Sequence, residues 1–291
     1  MNEIRYDDCV AVITGAGGGL GRSYALYLAA RGASIVVNDL GGTTDGQGND
    51  RKAADSVVAE IHALGGKAVA NYDSVATAAG GARIVQAAMD TFGCVDIVIN
   101  NAGILRDASL VKMSSDSFDT LIDVHLKGAF YVTQPAFRVM KERGYGRVVY
   151  TASGAGLFGN FGQANYAAAK MGLVGLSSVT AIEGAKYNIK SNVITPIART
   201  RLTEDLMGVT GDMFAPEFIA PMVAYLVSEG CEYSHEVFNV GAGRYSRIFV
   251  GSAPGWNAPA GVTPSVEDVR DNLQQIYSTE GFKIPGSATE A

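Results

Sequence analysis

Short apolar runs recur along the chain, each stopped by small or polar residues. Cys9–Thr14, Ser34–Asp39, Lys67–Asp73, Val95–Ile99, Gly146–Thr151, Ile189–Ile194 and Val237–Val240 have the length of strands. The first, Cys9–Thr14, is a continuous apolar run, as in a strand covered on both faces, and Ser34–Asp39 reads as the next buried strand. Stretches with helical spacing lie between them: Tyr24–Ala30 ending at Gly32, Ala53–Leu64, Ile84–Phe92, Ala164–Ala185 and Pro216–Val227. One long helix is expected from Ser114 or Ser115, carrying Phe118, Leu121, Ile122, Val124, His125, Phe130 and Val132. Strands alternating with helices predict a doubly wound α/β fold with a parallel sheet. The pattern changes near residue 251. Pro254, Gly255, Pro259, Gly261 and Pro264 predict an extended segment, followed by a helix over Ser265–Ile276. The expected organisation is one domain over residues 1–250. Residues 251–291 form an extension that packs on it or on a neighbouring subunit.

Composition narrows the functional classes. The 291 residues carry a net charge of −6, which argues against nucleic acid or an anionic membrane as the main partner. No apolar run reaches the ~18 residues that a membrane span needs. Met1–Asp8 has no signal-peptide core, so the expected compartment is the cytoplasm. Cys9, Cys94 and Cys231 are widely spaced and read as free thiols, and three histidines without paired spacing predict no metal site.

The first candidate chemistry lies in Gly15-Ala-Gly-Gly-Gly-Leu-Gly21. With 36 glycines in the chain, three at this spacing arise by chance about 0.5 times, so the glycines alone carry little. Their place after a strand and before a helix carries more. Residues without Cβ let backbone approach a pyrophosphate, and the helix start offers unpaired N–H groups. Asp39 ends the second strand, where a carboxylate meets a ribose hydroxyl. Asp73 ends the third, and either accepts an adenine amine or caps the next helix. Asn100-Asn101-Ala102-Gly103 follows the fourth strand, where small residues permit close approach to an adenosine and Asn100 can equally bridge strand backbones. The polar stretch Gly41–Asp50 is a surface excursion beside this site. Backbone of Thr195–Thr200 is placed to meet a nicotinamide carboxamide, and Thr200–Ala215 reads as a lid.

The second candidate lies at Tyr166-x-x-x-Lys170, one helical turn apart on one face, with Ser153 thirteen residues upstream. Chance predicts about 0.4 such Tyr/Lys pairs, and about 0.03 with the serine. A lysine ammonium about 4 Å from a phenol favours phenolate by up to about 4 kcal/mol, which would bring it near neutrality. A serine hydroxyl beside it can hold a carbinol oxygen. His125, among apolar neighbours, reads first as a satisfied core residue and second as a catalyst.

Taken together, Thr14-Gly-x-x-x-Gly-x-Gly21, Asn100-Asn-Ala-Gly103, Ser153 and Tyr166-x-x-x-Lys170 resemble the short-chain dehydrogenase/reductase family over about residues 8–243. That resemblance implies a Rossmann-like sheet of about seven parallel strands, bound NAD(P), Tyr166 as acid/base, Lys170 lowering its pKa and holding the ribose, and Ser153 positioning the substrate oxygen. It also implies cofactor contacts at Gly15, Gly19, Leu20, Gly21, Asp39, Asp73, Ser74, Asn101, Ala102, Gly103, Pro196, Ile197, Ala198 and Thr200, and a homodimer or homotetramer. Val37–Gly42, Lys67–Ser74, Gly103–Asp107, Val124–Gly128 and Gly159–Tyr166 look more closely like the dehydrogenase part of peroxisomal type-two multifunctional enzymes. His125 stands where most of the wider family has asparagine. This likeness implies NAD-dependent oxidation of a (3R)-hydroxyacyl-CoA, with an acyl-CoA or steroid-like substrate. Open alternatives are a hydroxysteroid dehydrogenase or ketoacyl reductase on the same fold, and a dinucleotide sensor without turnover.

Overall fold

The computed structural model describes residues 3–198 and 214–290. Thr200 and most of the stretch read as a lid lie outside the described residues. The chain separates into two compact units, Met1–Arg247 and Ile248–Ala291.

In the first unit the apolar runs form β1 (Val10–Thr14), β2 (Ser34–Asn38), β3 (Lys67–Asn71), β4 (Ile97–Asn100), β5 (Gly146–Thr151), β6 (Ile189–Ile197) and β7 (Glu236–Gly241). Among the described residues the sheet has eight strands in the order β3-β2-β1-β4-β5-β6-β7-β8, and β1 to β7 pair in parallel. Every residue of β1, β4 and β5 is buried, which explains their lack of alternation. The strand not expected from sequence is β8 (Arg244–Ile248). Ala242 and Gly243 have φ of 49° and 73°, the positive pair of a two-residue hairpin turn, and β8 returns beside β7. Its polar sequence, Arg-Tyr-Ser-Arg-Ile, suits an exposed edge and gives no apolar run to read. β6 also runs three residues past the expected Ile194, because Thr195, Pro196 and Ile197 pair with Asn239, Val240 and Gly241.

The helices are α1 (Gly19–Ala29), α2 (Lys52–Ala63), α3 (Ala78–Phe92), α4 (Ser115–Ile122), α5 (Gly128–Arg143), α6 (Gly154–Phe158), α7 (Ala164–Gly184) and α8 (Ala220–Val227). The single long helix expected from Ser114 is two helices joined by a π turn, Asp123–Lys127, that carries His125. Ser114 caps α4 by accepting from Ser117 N. Such widened turns interrupt helices where a site needs a residue re-aimed, and side-chain spacing alone does not announce them.

One core cluster unites β1, β2, α1, α2 and α8 through residues such as Ile13, Leu28, Ile35, Ile61 and Val223. Strand order reverses at β1 and β4, so a crevice opens at their carboxyl ends.

The second unit holds α9 (Val266–Asp271) and α10 (Leu273–Tyr277). A capping box between Ser265 and Asp268 starts α9. The continuous helix expected here is split at Asn272, whose φ/ψ of −101°/9° leave the helical region and whose side chain and backbone N–H both donate to Asp268 O. Ser252 and Lys283 pair antiparallel, and the Phe249 and Phe282 rings stack at 5.5 Å.

Candidate active site

The crevice is a cleft of about 280 Å3 that runs from the glycine turn to Lys170. At one end the backbone makes the surface. Gly15 has φ of 63°, and a Cβ there would meet Ala102 Cα at 2.8 Å. A Cβ on Gly21 would fall 2.2 Å from Gly15 O. Gly18 faces open space at the start of α1, with no side-chain cap on that helix end. The turn is held from below. Thr14 Oγ1 accepts from Asn101 N (3.0 Å) and Ala102 N (3.1 Å), while Asn101 Nδ2 donates to Thr14 O and Gly15 O, both at 3.1 Å. Asn101 therefore braces the turn and also lines the cleft.

Asp39 lies immediately after β2 and accepts from Gly17 N (2.8 Å) and Gly41 N (2.7 Å). Its carboxylate thus faces the glycine turn from the cleft wall. Arg22, just past the glycine turn, is bound by Glu60 and does not line that wall. Asp73 lines the cleft with Ser74 and is paired with Arg83 at 2.6 Å. It does not cap the following helix; Thr77 does, accepting from Gly80 N. Gly19, Leu20, Ala102, Gly103, Pro196 and Ala198 also line the cleft. Gly21 and Ile197 do not: Gly21 packs beneath Gly15, and Ile197 is exposed at the end of β6.

At the other end the side chains make the surface. Ser153 is the N-cap of α6, accepting from Ala155 N, and lies beyond the carboxyl end of β5. The first two turns of α7 present Tyr166 and Lys170 on one face. Lys170 is only 4% exposed, and its Nζ donates to Thr151 O while sitting 5.4 Å from the Tyr166 ring centroid. His125 is 3% exposed and meets Tyr166 edge-on, with ring centroids 5.4 Å apart. Its Nε2 lies 2.9 Å from Ile104 N and 2.8 Å from Ile104 O, and Nδ1 has no partner among the described residues. Asn100 Nδ2 donates to Thr133 Oγ1 at 2.9 Å, so it ties β4 to α5 rather than touching the cleft.

Electrostatics at this end differ from the expectation. Burial pushes the Tyr166 phenol up to about 12, Ser153 bonded to it works the other way, and Asp107 adds to the rise. Burial also pushes Lys170 down to about 7. Burial thus outweighs the pairing with Lys170, whose ammonium donates to Thr151 O and is itself disfavoured in this dry pocket. The reading of a phenol brought near neutrality by Lys170 alone is corrected accordingly. His125 is held well below the ordinary imidazole range by burial and then by Lys170, against the Ile104 bond, so it is neutral.

Sequence reasoning missed several cleft residues. Gly42, Thr43, Thr44 and Gly46 line it, because the 41–50 stretch folds over it rather than away. Leu105 N donates to Thr44 O at 2.9 Å, and Arg106 Nε to Asp45 O at 3.0 Å. A long Gly/Thr/Asp run directly after the carboxylate that ends the second strand is the signal that was present. Asp107, Gln163 and Asn165 were missed as a group, although polar residues beside Tyr166 at a helix start invite inspection.

The glycine cradle, the uncapped α1 start and the paired Ser153/Tyr166 fit a dinucleotide and an alcohol or carbonyl. The short chain dehydrogenase family signature matches residues 9–207, and the chain belongs to that family. A short-chain type dehydrogenase/reductase of Mycobacterium tuberculosis is 51% identical over 96% of this chain and 97% of its own length. The peroxisomal multifunctional enzyme type 2 of Drosophila melanogaster is 50% identical over 99% of this chain, which spans 48% of that enzyme. Its full-length structure superposes with a TM-score of 0.82 over 99% of this chain and 48% of that one, at 41% identity. Hydroxyacyl-CoA dehydrogenase ChsB1 of Mycobacterium tuberculosis is 36% identical over 93% of this chain and 92% of its length. The chain is an oxidoreductase of this family and a homologue of those dehydrogenases.

Proposed function

We propose that the protein oxidises a (3R)-hydroxyacyl-CoA to the 3-ketoacyl-CoA with NAD. The observation that carries this reading is the convergence of Ser153, Tyr166 and Lys170 at the end of a cleft whose other end is a glycine cradle walled by Asp39. The likeness to relatives named as hydroxyacyl-CoA dehydrogenase and multifunctional enzyme supports the substrate class.

Gly15, Gly18 and Gly19 would take the pyrophosphate, Asp39 the adenosine ribose, and Pro196 and Ala198 the carboxamide end. Bound there, the oxidised dinucleotide supplies the acceptor for the hydride that leaves the carbinol carbon. Ser153 holds the substrate oxygen beside the phenol. Tyr166 takes the hydroxyl proton as the C–H bond breaks, which requires phenolate. Oxidation therefore gains rate as pH rises toward the elevated phenol pKa, and reduction gains as pH falls. Lys170 binds Thr151 O from a dry pocket and, when protonated, adds positive charge on the phenolate's side of the site.

Purified protein with NAD and each isomer of a 3-hydroxyacyl-CoA tests this. The R isomer should be oxidised, with the S isomer at least ~10-fold poorer in kcat/KM, about 1.4 kcal/mol. Preference for S, or turnover of free steroid alcohols with none on any CoA thioester, would overturn the substrate assignment.

A further inference from the structure

The stretch that leaves β2 is tied at its neck and at its tip. Asp39 accepts from Gly41 N at 2.7 Å, and Asp50 N donates to Leu40 O at 3.2 Å, which draws the two ends together. At the tip, Thr43 N donates to Gln47 O at 2.8 Å, Gly46 N to Thr43 O at 3.0 Å and Gln47 N to Thr43 Oγ1 at 3.0 Å. A loop closed at both places is a compact body rather than a slack chain.

The tip is seated on the segment that leaves β4. Leu105 N donates to Thr44 O at 2.9 Å, and Arg106 Nε donates to Asp45 O at 3.0 Å. A Cβ on Gly46 would lie 3.1 Å from Ile104 Cδ1, so the tip also rests on that side chain. In the sheet β1 lies between β2 and β4, and β1 runs into the glycine turn. A loop that leaves the end of β2 and is bonded beyond the end of β4 crosses the carboxyl end of β1, where that turn begins. Gly42, Thr43, Thr44 and Gly46 accordingly line the same cleft as Gly15, Gly18 and Gly19.

The bank that receives the tip is anchored. His125 Nε2 meets Ile104 N at 2.9 Å and Ile104 O at 2.8 Å. Arg106 O accepts at 3.0 Å from Asn165 Nδ2, whose residue is fully buried at the start of α7. The Arg106 guanidinium is pinned to α4 by Asp116 Oδ2 at 2.8 Å, with Nε on Asp45 O. The bonds from Leu105 and Arg106 therefore decide whether the tip stays down.

We propose that residues 41–50 are a strap over the dinucleotide cleft and that Arg106 is the positioning residue that latches it: the cofactor enters and leaves when the tip lifts off Leu105 and Arg106. The proposal rests on reading the cleft as the NAD site. Loss of the charge-assisted bond from Arg106 makes lifting easier with and without cofactor, so association and dissociation quicken together. A residue that only improved the cofactor's contacts would change its departure alone.

The test is stopped-flow binding of NADH, followed by its nicotinamide fluorescence. In Arg106→Met, which keeps an apolar stem and removes the donors, both rate constants should rise about 10-fold, with Kd moved by much less. Asp116→Asn, which removes the ion pair and leaves Nε in place, should raise both by less than about 3-fold. A second variant does not depend on Arg106: replacing residues 43–47 by Gly-Gly, too short to reach Leu105, should quicken both steps at least as much as Arg106→Met. Hydrogen exchange reads the latch without cofactor, and the Leu105 amide should exchange about 10-fold faster in Arg106→Met while the β1 amides stay unmoved. Association unchanged in either variant, or a Leu105 amide unmoved in Arg106→Met, would overturn the proposal. Failure of the unmutated protein to bind NADH or NADPH would overturn the cofactor reading and the strap with it. Gated binding in a protein that oxidises no hydroxyacyl-CoA would overturn only the substrate assignment.

Discussion

The two ends of the cleft are made of different material. At the glycine-turn end, the proposed adenosine end, the surface is backbone. Gly15, Gly18 and Gly19 present peptide groups, Thr14 and Asn101 brace them, and Asp39 spends both oxygens on Gly17 N and Gly41 N. At the reactive end the surface is buried side chain. Tyr166, Lys170 and His125 carry strongly shifted pKa values because water is excluded. The first end is defined by where atoms cannot be, the second by what charge costs in a dry place. Substitutions at the first should therefore act on binding and geometry, and those at the second on rate and pH.

The largest effect expected is at the reactive end. Tyr166→Phe keeps the ring's packing against Ile104, Leu121 and Ala169 and removes only the proton carrier. Its kcat should fall by at least ~10², about 2.7 kcal/mol, with NAD affinity nearly intact. Near-wild-type turnover in a stopped-flow or steady-state assay would break the division between the two ends.

At the adenosine end, the wild-type protein should prefer NAD over NADP by at least ~100-fold in kcat/KM, about 2.7 kcal/mol. A 2′-phosphate would meet the Asp39 carboxylate, and Arg22 is already bound to Glu60. Asp39→Ala should erode most of that preference, chiefly by weakening NAD, while leaving the pH dependence of kcat in place. Equal efficiency with NADP in the unmutated protein would remove Asp39 from the ribose.

The same contrast explains what could be read from the sequence. Strand runs, the glycine turn, Asp39 and the Tyr166/Lys170 spacing are local patterns, and the fold places them where they were expected. β8 was not legible, since a polar edge strand is set by a hairpin turn and its neighbour rather than by its own apolar run. The π turn at His125 was not legible either, because one residue of extra winding changes no residue type. The Tyr166–Lys170 electrostatics were misjudged because spacing gives proximity but not desolvation, and here burial outweighs the pairing.

Stability should show a third, smaller effect, confined to the reactive end. Lys170 has a folded-state pKa of about 7 against an ordinary 10.5, so between those values the unfolded chain binds more protons. The buried lysine therefore destabilises the fold most below about pH 7, and the cost fades as pH rises toward 10.5. Lys170→Met should raise urea-unfolding stability at pH 6 by about 2 kcal/mol, below the ~5 kcal/mol ceiling set by the full shift, and by much less at pH 10. Equal gains at both pH values would show that packing, not charge burial, is responsible. Its activity should be lost at both.

The smallest effect should come from His125, and it sharpens the comparison most. This residue belongs to the reactive end by position, yet its contacts resemble those of the adenosine end. Its Nε2 meets the Ile104 backbone, and its ring carries no charge because burial and Lys170 both oppose protonation. Gly103 packs against the ring so closely that a Cβ there would lie 2.5 Å from Cε1, which makes the imidazole a brace for the strand-end loop. A brace can be replaced by a smaller polar residue at modest cost, whereas a proton carrier cannot. His125→Asn should therefore keep at least about a tenth of kcat/KM, a loss under ~1.4 kcal/mol, with the acid limb of the pH profile unmoved. The unpartnered Nδ1 gives the opposite case its one foothold, since a buried ring nitrogen without a partner is poised to meet a proton-bearing group. A loss as large as that of Tyr166→Phe, or a displaced acid limb, would show that the imidazole itself passes the proton and that the reactive end extends across the π turn.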